Sequence, residues 1–226
     1  MIRGFKKVFG TAAVVGVAAC ALVAMPASAD VITAESTPLT LTGAQEGTDV
    51  IKVHGGEIKC SKVSYTGTIS SSPASTLTLT PNFLSCTFAG LIASVQLNGC
   101  VYLVHVGTTF ASTASGTLDI VCPAGKEITV TAPSLGTPKC TVHIPAQTGL
   151  ESVAVTNLGS GSTREVTVSF GVGGGLTSLK YSQTSGTAET GNCATADNTT
   201  SGTQTAALLL TAENASFNHS GIFASS

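Results

Sequence analysis

Tryptophan is absent from this chain, and Tyr65, Tyr102 and Tyr181 are its only tyrosines. A sugar-stacking platform would therefore be poorly supplied. Basic residues are equally scarce: beyond the N-terminal leader, Lys52, Lys59 and Lys62 form the only cluster, which speaks against nucleic-acid binding. The acidic residues are few and scattered, with Glu127, Glu151 and Glu165 at outward or turn positions and no pair suited to glycoside hydrolysis. No two cysteines have C-x2-C spacing. The four histidines (His54, His105, His143 and His219) show neither H-x-H nor H-E-x-x-H, so no metal and no cofactor is expected. A G-x-S-x-G elbow is missing as well, since Gly159-Ser160-Gly161-Ser162 lacks the spacing and the strand-to-helix context. Gly171-Val172-Gly173-Gly174-Gly175 lacks both the G-x-G-x-x-G spacing and a Walker lysine, and reads as a turn between strands. These absences leave catalysis without a recognisable apparatus, and the expected catalytic set is empty.

What is present begins with an export signal. Arg3, Lys6 and Lys7 precede an apolar run from Val8 to Ala24, and Ala27-Ser28-Ala29 supplies a small-x-small cleavage site. Residues 1–29 read as a signal peptide and 30–226 as a single secreted domain. The alternative is a lipobox at Val17-Ala18-Ala19-Cys20, which would anchor the chain through a lipid on Cys20. No second apolar run reaches the roughly 18 residues needed to span a bilayer as a helix. The mature chain would carry seven basic and twelve acidic residues, a net charge of −5.

Six cysteines follow the leader: Cys60, Cys86, Cys100, Cys122, Cys140 and Cys193. An even number in an exported chain reads as three disulfides, drawn from about 15 formal pairings. Strand position favours Cys100–Cys122. Cys60 and Cys86 are symmetric about a turn at Pro73, but a plain hairpin would put Cys60 on the polar face, so a bulge is expected. Cys140–Cys193 remains by elimination. The two cysteine-flanked segments resemble each other, either as an old duplication or because Thr-rich hairpins look alike.

Alternation dominates the rest. In VQLNGCVYLV (residues 95–104) an Asn-Gly pair divides two alternating runs, the signature of a type I′ hairpin. That hairpin would set Leu97 opposite Cys100, Val95 opposite Tyr102 and Ala93 opposite Val104. The following strand folds back with Cys122 opposite Cys100, Ile120 opposite Tyr102 and Leu118 opposite Val104, which places His105 diagonally across from Asp119. REVTVSF, KCTVHIP and EITVTA alternate likewise, and AALLLTAEN and SGIFASS read as final strands. His105 and His143 fall on outward sides. The expected fold is all-β, an antiparallel β-sandwich or a barrel-like form of it, built from meander hairpins and stabilised by disulfides. Residues 182–205, SQTSGTAETGNCATADNTTSGTQT, show no apolar periodicity and read as a long Gly/Ser/Thr loop, the expected place for partner contact. Asn198, Asn214 and Asn218 head N-x-[ST] sequons, which carry little weight behind a bacterial-looking leader.

The stretches KCSKVSYTGTISS, DIVCPAGKEITVTAP and KCTVHIPAQTGL, with the closing GIF, resemble secreted β-rich proteins of unknown function from high-GC Gram-positive bacteria. The resemblance implies export and disulfides, and no activity. The expected role is that of a secreted or cell-surface structural or interaction protein without catalysis. The alternatives are an extracellular binding protein whose loops hold a small or polymeric ligand and, third, an extracellular hydrolase with a dispersed triad. An envelope or extracellular protein or polymer is the expected class of partner.

Overall fold

The computed structural model describes residues 31–54, 56–110, 112–132, 140–171, 176–184, 196–216 and 218–225. Its strands form where small and branched side chains alternate, because such side chains suit a pleated surface buried on one face. β1 (Val31–Ala34) stands apart from the main sheet. In β2 (Leu39–Gln45), Leu39, Leu41 and Gly43 are buried while Thr40, Thr42 and Ala44 are exposed.

Read by pairing, the main sheet is a ring. β2 and β3 (Asp49–Val53) lie in line and pair antiparallel with β4 (Gly56–Ile69), which pairs with β5 (Thr76–Phe88). β5 pairs with two strands that also lie in line, β6 (Leu91–Gln96) and β7 (Val101–Phe110). Against these run β9 (Ile128–Ala132) and β8 (Thr113–Val121) respectively. Next come β10 (Cys140–Ile144) on β9 and β11 (Gln147–Leu158) on β8. β12 (Glu165–Phe170) pairs with β11, and β13 (Leu176–Thr184) pairs with β10. Both pair with β14 (Ala196–Glu213), whose other edge returns to β2 and β3. The result is a closed up-and-down barrel of eight staves, each antiparallel to its neighbours in sequence. Ring closure selects the barrel from the two expected forms, and it leaves the main sheet without a free edge.

An eight-stranded ring is just wide enough for side chains to fill. Here Tyr65, Tyr102, Tyr181 and Phe170 fill it, each 1% exposed, together with fully buried Leu77, Leu79, Val104, Leu118, Val155 and Leu208. Tyr102 meets Phe170 edge-on, with ring centroids 6.0 Å apart. Burial of each Leu or Val side chain stabilises the fold by about 1.5–3 kcal/mol before entropy is counted.

A belt of irregularity girdles the barrel. Residues 46–48 separate β2 from β3, 97–100 separate β6 from β7, and 122–127 separate β8 from β9. The β8–β11 ladder shifts register between Gln147 and Val153. On β4, the inward series passes from Cys60 to Val63 across two exposed residues, Ser61 and Lys62. On β5 it passes from Phe83 to Cys86 across Leu84 and Ser85. The two doublets oppose each other, so the ladder keeps its register while both strands turn over. The bulge expected to bring Cys60 inward is therefore absent: the paired doublets do this without an extra residue on either strand, and Ser85 takes the left-handed conformation there (φ 51°).

β1 pairs with β15 (Ile222–Ser225) to form a two-stranded ribbon over one end of the barrel, burying Ile32 and Ile222 completely. Its edges are occupied: Ile32 exchanges backbone hydrogen bonds of 2.7 and 2.9 Å with Ala74, and Asn157 occupies the other side. The Arg164 guanidinium lies 4.3 Å from the centre of the Phe223 ring.

Two further expectations need correction. Asn98 and Gly99 do form the tight turn, with φ of 53° and 86° and a 2.9 Å bond from Cys100 N–H to the Leu97 carbonyl. They do not join a hairpin. β6 and β7 never pair, and Val95 and Tyr102 face the same interior from one stave. The turn is a step within the belt, held by Asn98 Nδ2, which donates to the Glu127 carbonyl at 2.8 Å. Neighbouring strands satisfy both edges of this stave, so no donors remain for a local hairpin. The β7–β8 register is as expected, with Tyr102 opposite Ile120 and Val104 opposite Leu118.

The second correction concerns residues 182–205. Residues 182–184 belong to β13 and 196–205 to β14, while 185–195, including Cys193, lie outside the described residues. Among the described side chains of 201–205, the inward positions are Gly202 and Gln204, which carry no apolar signal. Gly202 has a packing reason: a Cβ there would lie 2.5 Å from the Lys52 carbonyl and 3.2 Å from the Tyr181 ring.

Candidate functional site

The cysteines sit in and beside the belt. Cys60 bonds Cys86 (S–S 2.07 Å) and Cys100 bonds Cys122 (2.03 Å), each across directly opposed strands. Cys140 is also disulfide-bonded, and its expected partner Cys193 lies outside the described residues.

Inside the belt lies a polar cluster that sequence reading missed. Asp49 opens β3 facing inward and is 1% exposed. Gln204 Nε2 donates to both of its carboxyl oxygens at 3.2 Å, and the Tyr65 hydroxyl donates to Oδ2 at 3.4 Å. The Tyr102 hydroxyl donates to Gln204 Oε1 at 3.4 Å, linking four staves through one buried network. Burial pushes the Asp49 carboxyl up to about 7, against the opposing pull of the hydrogen bonds from Gln204 and Tyr65. Both tyrosine hydroxyls are pushed up too, chiefly by burial and then by the neighbouring Asp49. The one available signal was parity: in DVIKV, Asp49 shares a face with Ile51 and Val53.

Three histidines pair with carboxylates on the outer face. His105 Nε2 lies 2.9 Å from Asp119 Oδ2, the diagonal contact expected from the β7–β8 register, and Asp119 Oδ1 accepts the Gly149 N–H at 2.7 Å. His143 Nδ1 hydrogen-bonds Glu127 Oε1, and Ser182 stands directly across the ladder from His143. That row places a hydroxyl on β13, an imidazole on β10 and, just before β9, a carboxylate. No hydrogen bond joins Ser182 to His143, so the row lacks the nucleophile–base contact that would activate the serine. His219 donates through Nδ1 to the Ser162 carbonyl at 2.8 Å and lies 3.4 Å from Glu165. The fourth, His54, uses its backbone N–H on the Tyr181 hydroxyl.

Among the described residues, no three His, Cys, Asp or Glu side chains are grouped to hold a metal ion. A cleft of about 340 Å³ opens where the β4–β5 hairpin meets the covered end, lined mainly by hydroxyls, including those of Thr68, Ser70, Ser75 and Thr78. No family model, curated protein or solved structure matches this chain.

Proposed function

We propose that this protein is exported and acts as a disulfide-stabilised structural or interaction protein at or beyond the cell surface, without catalysing a reaction. The observation that carries this reading is the division between a filled lumen and a hydroxyl-rich exterior. Aromatic and aliphatic side chains occupy the space in which many barrels hold a ligand. Threonines such as Thr40, Thr42, Thr66, Thr78 and Thr80 face solvent in rows. With its ring closed, the sheet would meet a partner through these outward side chains rather than by adding a strand. Two disulfides suit an oxidising compartment, and the resemblance to secreted β-rich proteins of high-GC Gram-positive bacteria supports the same placement.

The hydroxyl-lined cleft favours a second reading, a binding protein that holds an extracellular polymer by hydrogen bonds at one end of the barrel. Photo-crosslinking in the native host separates the two. A crosslinker on the outer stave faces, at Thr42 and Thr80, should trap an envelope or extracellular protein. Adducts confined to Ser71 and Ser75 would favour polymer binding. Intact-mass analysis of the same material should give an N-terminus at Asp30, whereas a lipid-modified Cys20 would move the protein to a membrane anchor.

A further inference from the structure

The Asp49 carboxyl has hydrogen-bond donors around it but no counter-charge among the described residues. From β4 it is faced by Tyr65 and the disulfide-bonded Cys60, from β7 through Gln204 by Tyr102, and from β14 by Gln204. All of these are neutral. Lys52 on β3 itself and Lys59 on β4 are exposed and held by Glu57 at 3.6 and 2.7 Å. No Lys, Arg or His is buried among the described residues. An ionised carboxylate there would be a buried charge without a partner, which is costly.

The chain beside it offers a way out. Asp49 follows the break between β2 and β3, where Glu46, Gly47 and Thr48 are exposed and the ladder to β4 is interrupted. The step is held by a backbone hydrogen bond from Glu46 N–H to the Ala207 carbonyl at 2.8 Å and by Gln45 Nε2, which donates to the Gly47 carbonyl and, at 2.9 Å, to the Cys60 carbonyl. We propose that Asp49 is a proton-operated latch in the belt: neutral, it stays inside and ties four staves together; ionised, it draws residues 46–49 towards water and loosens the ring.

The direction follows from linkage. The folded carboxyl titrates near 7, above its unfolded value of about 4. The contribution of Asp49 to folding is therefore fully present below pH ~4, where both states are protonated, and is lost as pH rises to about 7. Within that window each pH unit lowers the folded-to-unfolded ratio by up to about tenfold.

Carbon-13 NMR of the mature, disulfide-intact protein tests the titration directly. A carboxyl midpoint for Asp49 near 7 is expected, and a midpoint in the ordinary range near ~4 would overturn the proposal. Amide exchange at Val50 and Ile51, corrected for intrinsic base catalysis, should show opening that accelerates as Asp49 ionises. Unchanged opening alongside a titrating Asp49 would refute the latch. Asp49→Asn should remove this fall in stability between pH 4 and 7. An equal slope in both proteins would also refute the proposal, and if the variant fails to fold, the titration and exchange decide.

Discussion

Asn157 grips both backbone groups of Ala224: its Nδ2 donates to the Ala224 carbonyl at 2.9 Å, and the Ala224 N–H donates to its Oδ1 at 2.7 Å. One side chain thus does for β15 what a neighbouring strand would do. It fastens the terminal ribbon to β11 and removes its outer edge from solvent.

Removing that grip should detach the ribbon's end. Asn157→Ala leaves two partly buried backbone groups without partners, a loss of about 1–3 kcal/mol. Asn157→Asp should be nearly as damaging, because a carboxylate accepts the Ala224 N–H but repels its carbonyl. Denaturant midpoints and amide exchange at Ala224 measure both. Unchanged protection in Asn157→Ala would show that the buried Ile32 and Ile222 and the Ile32–Ala74 hydrogen bonds hold the ribbon without it.

The belt disulfides should matter more than their small size suggests. Cys100 and Cys122 are 22 residues apart in sequence. Replacing both with Ser should cost about 3 kcal/mol through the loop entropy regained by the unfolded chain. Non-reducing peptide mapping should join Cys60 to Cys86 and Cys100 to Cys122 and identify the partner of Cys140. A crossed pairing between the two belt disulfides would contradict the ring.

Deleting residues 198–203 should destroy cooperative unfolding. These residues carry the pairing of β14 with β13, and Thr203 also pairs with Lys52 of β3. Trimming this segment opens the barrel rather than shortening a surface loop. A deletion variant that unfolds as sharply as the parent, followed by circular dichroism, would show that the stave is dispensable.

The Ser182–His143–Glu127 row should be chemically silent. A fluorophosphonate probe should leave Ser182 unmodified, and His143→Ala should not change the rate in any esterase or peptidase assay. Stoichiometric labelling of Ser182, lost in His143→Ala, would make the row a catalytic triad and remove the non-catalytic proposal.

Much of the fold was legible because alternation with period two records which face is buried. Ile128, Val130, Val142, Ile144, Val166, Val168 and Phe170 are all buried, as their spacing demands. The β7–β8 register and the His105–Asp119 contact follow from the same rule, whereas Cys60 turns inward only because the alternation breaks at Ser61 and Lys62. Parity says nothing about which strand lies alongside. For that reason the Asn98–Gly99 turn was readable as a turn and misread as a hairpin. It also says little where the inward residue has no apolar side chain, as at Gly202 and Gln204.

The amino-acid sequence by itself determined the strand class, the facing of most side chains and two cysteine pairings between neighbouring strands. Each of these depends on residues close in the chain or symmetric about one turn. Tertiary structure alone decided that the sheet closes, since closure rests on β14 meeting β2 across the length of the domain, with Leu210 opposite Gly43. It alone placed Asp49 among Tyr65, Tyr102 and Gln204. Gln204 is 155 residues from Asp49, and only the ring brings their strands side by side. The cost of a buried charge depends on what surrounds it, and those surroundings exist only once the barrel has formed.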